Sequence, residues 1–492
     1  MDSDVIIVGA GPTGLMLAGE LRLGGASVTV LERLAQPAGQ SRGLGFTTRA
    51  MEVFDQRGLL PLFGAVEASP LGHFGGIQFD FSVLDGAHFG ARGIPQSQTE
   101  AVLEKWATSA GADIRRGWEF TGLAEHADAV EVTAQTAGGV QHLRAAYLVG
   151  CDGGHSAVRK AAGFEFPGTA ATRGMYLADV AGCNLRPRFL GERMAGGMVM
   201  AAPLGEGVDR IIVVENDAPV PAPTASASFS EVADAWQRIT GEDIHGGSAD
   251  WVGSFTDATR QVTEYQRGRV LLAGEAAHIH LPAGGQGLST GVQDAANLGW
   301  KLAAVVAGWA PPGLLDTYHS ERHPAGARLL MNTQAQGMLY VGGPEMDPLR
   351  ELMTELIEYD EVKRHLAGMV SGVDIRYDLA GDHPLLGRRL PPAALRCASG
   401  PATTTELLHP ARGVVLDLAD DAAVRAAAAG WPDRVITVTA ELDDPAARSG
   451  LAAASVILVR PDGYVAGVDT PSGELSAALH RWFGPPAARD GQ

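Results

Sequence analysis

The sequence predicts an α/β fold that begins with a strand–turn–helix–strand unit and gains an antiparallel sheet and a small second α/β region further along. Three observations support this prediction. First, a β-branched run leads into the glycine-rich residues 9–14 and a helical pattern. Second, residues 176–262 differ in pattern from the residues before them and contain strand-like runs at 197–200 and 210–214. Third, strand-like runs alternate with alanine-rich segments beyond about residue 385. Strands that alternate with helices are typical of parallel sheets, whereas successive strands favour an antiparallel sheet.

The first unit has the order of a dinucleotide-binding fingerprint. In its G-x-G-x-x-G pattern, Gly9 permits the tight turn, Gly11 lets the backbone approach a pyrophosphate, and Gly14 lets helix and sheet pack closely. Glu32 ends the second predicted strand about 20 residues beyond the glycines, where a carboxylate accepts the hydroxyls of an unphosphorylated adenosine ribose. The helix N-terminus offers N–H groups and a favourable dipole to the phosphates.

Length, charge and cysteine usage exclude several classes of protein. The 492 residues suggest about two to four domains. A formal net charge of −19 argues against nucleic-acid and anionic-membrane partners. The three cysteines, Cys151, Cys183 and Cys397, form no C-x-x-C pair, and no basic leader or membrane-spanning apolar stretch is present. We therefore expect a soluble, cytoplasmic protein.

Other turns are candidates for contact with the same ligand. Arg42 lies in a glycine-rich stretch and could reach a phosphate or a flavin edge, although the residues alone favour a surface ion pair. Asp152 follows a predicted strand in a turn of small residues, which can bring backbone close to a cofactor. A buried strand leads into Glu275 and the glycine-rich residues 282–287, and the N-terminus of a long predicted helix follows.

The histidines do not form a convincing metal site. His319 and His323 are four residues apart, but the zinc-protease pattern requires Glu directly after the first histidine, and Ser320 stands there. His278 and His280 lie beside glycine-rich loops, where packed histidines are commoner than catalytic ones. We therefore expect no metal.

With these segments in order, the sequence resembles the class A FAD-dependent aromatic hydroxylases, the para-hydroxybenzoate and phenol hydroxylase group, and in particular the angucycline polyketide hydroxylases. The resemblance covers essentially the whole chain and rests on residues 9–14 with Glu32, on residues 151–153, and on residues 274–287. It implies an α/β FAD-binding domain of the glutathione-reductase-like Rossmann type over residues 1–175 and 263–385. It also implies an inserted antiparallel β-sheet substrate domain over residues 176–262 and a thioredoxin-like α/β domain over residues 386–492.

The resemblance also implies a set of cofactor-binding positions, while it names no catalytic residue. These positions are Gly9, Gly11, Thr13, Gly14, Glu32, Arg33, Arg42, Gln96, Asp152, Glu275, Pro282, Gly287 and Leu288. The sequence departs from the family at Glu275, where aspartate is usual, and at Ser289, where asparagine is usual. Residues 318–322 resemble a family stretch that we expect to end a helix.

The implied reaction is aromatic hydroxylation: NAD(P)H reduces FAD, O₂ gives a flavin C4a-hydroperoxide, and a phenolic ring attacks its distal oxygen. The expected partners are O₂, NAD(P)H and a polycyclic angucyclinone-like polyketide of antibiotic biosynthesis, bound between the flavin and residues 176–262 by a monomer or homodimer. Two alternatives stay open: a Baeyer–Villiger oxygenase of the same fold, and a flavin-binding protein that has lost turnover, which Glu275 and Ser289 favour.

Overall fold

The structure is a computed structural model that describes residues 1–41, 43–84, 90–216, 220, 227–443, 451–470 and 472–487. Up to residue 169 the strands are β1 (Ser3–Val8), β2 (Val28–Glu32), β3 (Ala68–Ser69), β4 (Leu71–Phe74), β5 (Ile77–Asp80), β6 (Ala91–Arg92), β7 (Asp113–Arg116), β8 (Glu119–Glu125), β9 (Val130–Thr136), β10 (Gly139–Gly150) and β11 (Gly168–Thr169). The helices of this part are α1 (Pro12–Leu23), α2 (Thr48–Asp55), α3 (Gln96–Ser109) and α4 (Ala157–Ala161).

The middle of the chain is mostly β-sheet and is followed by four helices. Its elements are β12 (Gly174–Ala181), β13 (Arg188–Met194), β14 (Gly197–Gly205), β15 (Val208–Glu215), α5 (Phe229–Thr240), β16 (Ser248–Thr256), β17 (Thr259–Gln261), β18 (Gln266–Arg267), β19 (Val270–Leu272) and β20 (His278–Ile279). The helices after it are α6 (Gln286–Val306), α7 (Asp316–Val341), α8 (Asp347–Ile357) and α9 (Asp360–Ser371).

A parallel sheet places the glycine-rich turn among its strand ends. Strand β1 lies between β2 and β10, β10 pairs with β19 and β2 pairs with β7, all in parallel. The side chains of Val5, Ile6 and Ile7 are fully buried, as expected for a strand covered on both faces. The residues after β1, β10 and β19 and the end of β2 therefore meet at one edge of the sheet.

The second sheet is antiparallel, in the order β13–β14–β15–β12–β16. Helix α5 packs on one face, where its residues Val232 and Trp236 contact the side chains that β14 and β15 present on that side. This helix was not predicted, although Ser228 and Glu231 form a capping box at its start, which is a sequence signal.

Helices α6 and α7 belong to the part of the molecule that packs on the parallel sheet, and α6 lies against α1. Small residues let α6 approach α1 closely, since a Cβ on Gly299 would lie 2.3 Å from the Cβ of Glu20. Residues 318–322 lie near the start of α7, so the prediction that they end a helix was wrong. Pro311, Pro312 and Gly313 lie between α6 and α7 and separate the two helices. Within the described ranges, no helix is long and apolar enough to span a membrane.

The last part of the chain forms a third sheet. Its elements are β21 (Ala394–Cys397), β22 (Gly400–Thr403), β23 (Gly413–Asp417), α10 (Ala422–Ala428), β24 (Val435–Leu442), β25 (Val456–Val459), β26 (Val465–Val468) and α11 (Ser472–Phe483). The strand order is β22–β21–β24–β23–β25–β26, with β23 and β24 parallel and the other pairs antiparallel. Strands β25 and β26 form a hairpin, with its turn closed by a hydrogen bond from Gly463 N–H to the Arg460 carbonyl oxygen.

The turn of this hairpin enters a buried network of charges against α6 and α7. Arg460 donates to both carboxylate oxygens of Glu321 and to Asp462, and Lys301 also donates to Glu321. Burial raises the pKa of Glu321, but Arg460 and Lys301 outweigh it and hold that pKa at about 2. Burial lowers the pKa of Lys301 to about 8. The charges are therefore stable inside the protein only as a set.

Candidate functional site

The glycines of the turn after β1 serve three different purposes. Gly9 has a φ of 105°, and a Cβ there would lie 2.5 Å from the carbonyl oxygen of Cys151. A Cβ on Gly14 would lie 2.0 Å from the Gly9 carbonyl oxygen, so Gly14 allows α1 to pack on the turn. Gly11 has an ordinary φ of −79°, and beyond its chain neighbours a Cβ there would meet no described heavy atom within 4 Å. The space in front of α1 is therefore open at Gly11.

Glu32 is held across this turn. One carboxylate oxygen accepts from Ala10 N–H at 3.0 Å and the other accepts from Leu34 N–H at 2.8 Å. Because each carboxylate oxygen has two lone pairs, Glu32 keeps acceptor capacity for a further donor. The neighbouring Arg33 is exposed.

Thr13 lies between α1, the end of β19 and α6. Its hydroxyl oxygen would be 2.7 Å from a Cβ on Gly274 and 2.2 Å from a Cβ on Gly291. The two glycines therefore leave room for Thr13, and the threonine joins the two glycine-rich turns of the predicted cofactor site.

Gln96 and Leu288 meet at the loop that precedes α2. Gly43 N–H donates to Gln96 Oε1 at 3.3 Å, and a Cβ on Gly43 would lie 2.3 Å from Leu288 Cδ1. Gln96 Nε2 donates to Glu100 at 2.8 Å, which fixes the orientation of the amide. Burial raises the pKa of Glu100, and the charge of nearby Glu32 adds to this effect. Glu100, which orients Gln96, therefore lies near Glu32.

Arg42, the remaining predicted residue of this loop, lies outside the described residues.

Asp152 and Glu275 follow neighbouring strands but differ in their partners. The Asp152 carboxylate accepts from the Ser156 hydroxyl and from the N–H groups of Ala157 and Val158, so it caps α4. Glu275 is exposed in a 3₁₀ turn, and its Oε2 would be 4.0 Å from a Cβ on Gly153. The two predicted residues are thus adjacent through Gly153, and only Asp152 is committed to a structural contact.

Asp294, on the third turn of α6, is fully buried and organises the loop after β19. It accepts from Gly274 N–H at 3.1 Å, pairs with His278 Nε2 at 2.8 Å and accepts from Arg322 Nε at 2.7 Å. Burial raises its pKa, but Arg322 and His278 together hold the pKa of this carboxyl below its ordinary value. Asp294 therefore fixes the strand end that carries Glu275.

The glycine-rich loop before α6 requires glycine at two positions. Gly284 and Gly285 both have positive φ values, 69° and 65°, which favour glycine, and α6 starts directly after them. Pro282 is exposed, Gly287 and Leu288 are half-buried, and a Cβ on Gly287 would lie 3.5 Å from His280 Nε2. Burial lowers the pKa of His280 to about 4.

A chain of buried carboxamides, which we call the amide relay, connects this loop to the β4–β5 hairpin. Gly75 N–H donates to Gln336 Oε1, Gln336 Nε2 to Asn332 Oδ1, Asn332 Nδ2 to Gln286 Oε1, and Gln286 Nε2 to the Ala283 carbonyl oxygen. The distances lie between 2.8 and 3.2 Å. The relay fixes the hairpin relative to the glycine-rich loop.

One face of the antiparallel sheet packs against the same loop. Side chains alternate along β14, so Val199 and Ala201 face α5 while Met198 and Met200 point the other way. We call this opposite side the methionine face; it consists of Met175, Met198, Met200, Ile212, Val214 and Phe255, and it packs with Leu281, Ala283, Tyr340 and Val341. Methionine side chains are flexible and adapt to the shape of what they contact.

The turn after β1 fits the adenosine diphosphate part of an FAD. Gly11 leaves a space that a Cβ would enter, the N-terminus of α1 points into it, and Glu32 stands at the end of the next strand. A family model described as an FAD binding domain matches residues 2–333, and one described as the C-terminal part of aromatic-ring hydroxylases matches residues 383–486.

The chain belongs to the FAD-dependent aromatic hydroxylases.

Known proteins similar to this aromatic hydroxylase align over nearly its entire length. It is 45% identical to a 12-dehydrotetracycline 5-monooxygenase/anhydrotetracycline 6-monooxygenase of Streptomyces rimosus subsp. rimosus, over 99% of this chain and 100% of the relative. It is 43% identical to a rifampicin monooxygenase of Streptomyces venezuelae, over 98% of both chains. The crystal structure of CabE, an aromatic hydroxylase from angucycline biosynthesis, matches with 61% identity and a TM-score of 0.96, over 99% of this chain and 100% of CabE. This protein is an FAD-dependent aromatic monooxygenase.

Two residues that position parts of the predicted cofactor site, which we call the cofactor end, were not predicted from the sequence. Glu100 orients the Gln96 amide, and its position one helical turn after Gln96 was the available signal. Asp294 is the single carboxylate of α6 and lies among apolar positions of the helical pattern, where a carboxylate signals a buried partner. The predicted cofactor positions themselves stay predictions.

Proposed function

We propose that this chain hydroxylates a polycyclic aromatic polyketide of the angucyclinone type in antibiotic biosynthesis, with FAD, NAD(P)H and O₂. The observation that carries the proposal is the methionine face, an apolar and methionine-rich face of the antiparallel sheet that packs against the loop before α6. Fused aromatic rings are flat and apolar, and methionines adapt to such ligands. Relatives named for tetracycline and rifampicin and the angucycline hydroxylase CabE support the substrate class.

The residues of the chain would divide the work as follows. Gly11 and the N-terminus of α1 would bind the pyrophosphate, Glu32 would accept ribose hydroxyls, and Gln96 would contact the cofactor from the side of α3. The N-terminus of α6 would place its positive dipole end near the flavin ring, where it favours the anionic reduced form. Reduced FAD supplies the activation of O₂. The methionine face and Pro282 would exclude water from the substrate.

The domain limits belong to the same proposal. We assign residues 1–175 and 263–385 to cofactor binding, residues 176–262 to substrate binding and residues 386–492 to a thioredoxin-like domain. Cys397 is the single cysteine of this last segment, so a packing role is favoured over thiol–disulfide exchange. The assembly is proposed to be a monomer or a homodimer.

The experiment is incubation of the purified, FAD-loaded protein with a panel of angucyclinones, NADPH or NADH, and air, followed by mass spectrometry. We expect substrate-dependent oxidation of the reduced nucleotide and a product heavier by one oxygen atom with its rings intact. A ring-expanded lactone or its opened acid would instead identify the Baeyer–Villiger alternative.

A reaction without oxygen transfer is the second candidate function. Two relatives support it: a dialkyldecalin synthase of Streptomyces rugosporus is 39% identical, and the structure of the Diels–Alderase PyrE3 matches with a TM-score of 0.86. Rearranged product without consumption of NADPH or NADH would favour this candidate and contradict hydroxylation.

A further inference from the structure

Tyr340 carries a buried hydroxyl group that has no partner. The residue ends α7, is 8% exposed and packs with Met198, Leu281 and Ala283. Its hydroxyl oxygen makes no hydrogen bond within the described residues, and the backbone of Gly191 leaves it room, since a Cβ there would lie 2.6 Å away. An unpaired buried hydroxyl destabilises a folded protein, so its presence requires an explanation.

A second polar group stands beside it. The ring of His73 stacks on Tyr340, with centroids 5.6 Å apart and an interplanar angle of 19°. Gly76 N–H donates to His73 Nδ1 at 3.2 Å, so in the neutral ring the proton is on Nε2. Burial lowers the pKa of His73 to about 4, which keeps the ring neutral near pH 7. In the described structure Nε2–H has no acceptor.

The position of this pair is fixed relative to the glycine-rich loop. The amide relay runs from Gly75, two residues after His73, to Ala283. Arg350 also donates to the carbonyl oxygens of Gly75 and Leu339, which ties the hairpin to the end of α7. The Tyr340 hydroxyl and His73 therefore stand at a defined place beside the apolar contact between the methionine face and the loop, with the Arg350 guanidinium nearby.

We propose that the Tyr340 hydroxyl and His73 Nε2–H bind an oxygen substituent of the substrate and so determine which ring faces the loop at Leu281 and Ala283. The inference rests on the proposed function, which places a polycyclic ligand at the methionine face. In the described structure Met198 and Met200 pack against this contact, so the proposal requires both side chains to change rotamer when the ligand binds, which the flexible methionine side chain allows. A site with unpaired polar groups discriminates strongly against analogues that lack the matching oxygen.

The test uses the FAD-loaded full chain and two probes of nearly equal shape, 2-hydroxyanthracene and 2-methylanthracene, with binding measured by fluorescence titration. The parent protein is expected to bind the hydroxylated probe at least about fivefold more tightly, since one hydrogen bond contributes about 1 kcal/mol. Tyr340→Phe and His73→Asn should each reduce that preference while binding the methyl probe as the parent does. In His73→Asn the side-chain amide keeps an acceptor for Gly76 N–H.

Tyr318→Phe is the matched control, because Tyr318 is also buried but its hydroxyl donates to the Leu272 carbonyl oxygen at 2.8 Å. We expect Tyr318→Phe to lower the melting temperature of the ligand-free protein and to keep the probe preference. Tyr340→Phe should leave the melting temperature unchanged or raise it, because the removed hydroxyl has no partner there.

An unchanged probe preference in both Tyr340→Phe and His73→Asn would overturn the proposal, as would an equal loss of affinity for both probes. If the parent oxygenates none of the angucyclinones but shows the probe preference and loses it in both variants, the polar anchor stands and the proposed function fails. If it oxygenates them and the variants keep the preference, the proposed function stands and the anchor fails.

Discussion

The cofactor end and the methionine face are built in opposite ways. At the cofactor end, the groups proposed to bind the pyrophosphate and the ribose are backbone N–H groups and one carboxylate, carried by residues within a single stretch from Gly9 to Glu32. Around the methionine face, the groups proposed to contact a substrate are side chains of the sheet itself and of the β4–β5 hairpin, the glycine-rich loop and the end of α7. Substitutions at the cofactor end disrupt the turn itself. Substitutions around the methionine face alter one side chain at a time.

The comparison shows why one fold can keep its cofactor while its substrate changes. A backbone site depends on glycines whose replacement collides with other backbone atoms, as at Gly9 and Gly14. A side-chain site depends on rotamers and volumes, which single substitutions alter at small cost in stability. We therefore expect substitutions at the two regions to differ in what they damage.

The largest effect is expected from Asp294→Ala, which removes the buried carboxylate behind the cofactor end. Arg322 would be left buried without its partner, so the free energy of unfolding should fall by about 3–5 kcal/mol. Urea unfolding followed by circular dichroism measures this loss. Asp374→Ala, which removes a partly exposed partner of Arg328, should cost less than about 1 kcal/mol. Equal losses of the free energy of unfolding in the two variants would contradict the role of Asp294 as a buried partner of Arg322, His278 and Gly274.

Gly11→Val should separate ligand binding from folding. The Cβ would stand in the open space where the pyrophosphate is proposed to lie, so FAD affinity should fall roughly 5- to 150-fold, as crowding of about 1–3 kcal/mol implies. The melting temperature of the apoprotein should stay that of the parent. Gly14→Ala should behave in the reverse way, because its Cβ would collide with the Gly9 carbonyl oxygen. FAD titration and thermal melting of both variants check this, and a Gly11→Val protein that binds FAD normally would refute it.

Gln336→Leu should weaken the amide relay. It would leave Gly75 N–H and Asn332 Oδ1 without partners, at a cost of about 2 kcal/mol. Hydrogen exchange at the Gly75 amide should become faster, while the turn at Gly11 keeps its protection. Gln334→Leu, on the exposed side of α7, is the control and should change neither. Unchanged exchange at Gly75 would show that the relay does not hold the hairpin.

Acid should destabilise both regions through one neutral histidine each. The pKa of His73 at the methionine face and of His280 at the cofactor loop is about 4 in the folded protein, below the ordinary value of 6.5. The unfolded chain therefore binds more protons between pH 6.5 and 4, and stability falls as the pH is lowered through this range. At pH 5 each imidazole should cost about 1–2 kcal/mol. Urea unfolding at pH 7.5 and 5 should show a smaller difference for His73→Asn and His280→Asn, but not for the exposed His155→Asn. A parent protein equally stable at both pH values would contradict this.

The smallest effect is expected at Glu275, whose exposed side chain has no hydrogen bond within the described residues. Glu275→Asp should weaken FAD binding about fivefold, or about 1 kcal/mol, if the surrounding loop fits the longer acid. Glu275→Ala should bind FAD less tightly than either acid. Titration of the apoprotein decides this, with Glu264→Asp, at a half-buried glutamate paired with Arg267, as the control. Tighter binding by Glu275→Asp would show that the loop kept the geometry typical of aspartate.

How much the sequence could predict follows from the same comparison. The turn from Gly9 to Glu32 was predictable because every residue it needs lies within one short stretch, and the strand ends followed from the pattern. The pairing of Asp294 with Arg322 and the contact of Gly75 with Gln336 join residues 28 and 261 positions apart, and no local periodicity encodes them. The stack of His73 on Tyr340 was unpredictable for the same reason. Helix α5 could have been predicted from its capping box.

The buried charges around Glu321 also constrain how the protein can be made. Arg460 follows Glu321 by 139 residues, so a ribosome that adds about 5–20 residues per second needs about 7–28 seconds to supply the missing cation. During that time the nascent chain carries Glu321 and Lys301 without the set of charges that makes their burial stable. A chain truncated shortly before Arg460 would therefore leave Glu321 and Lys301 without this cation, even though all of the sequence proposed to bind the cofactor had been translated.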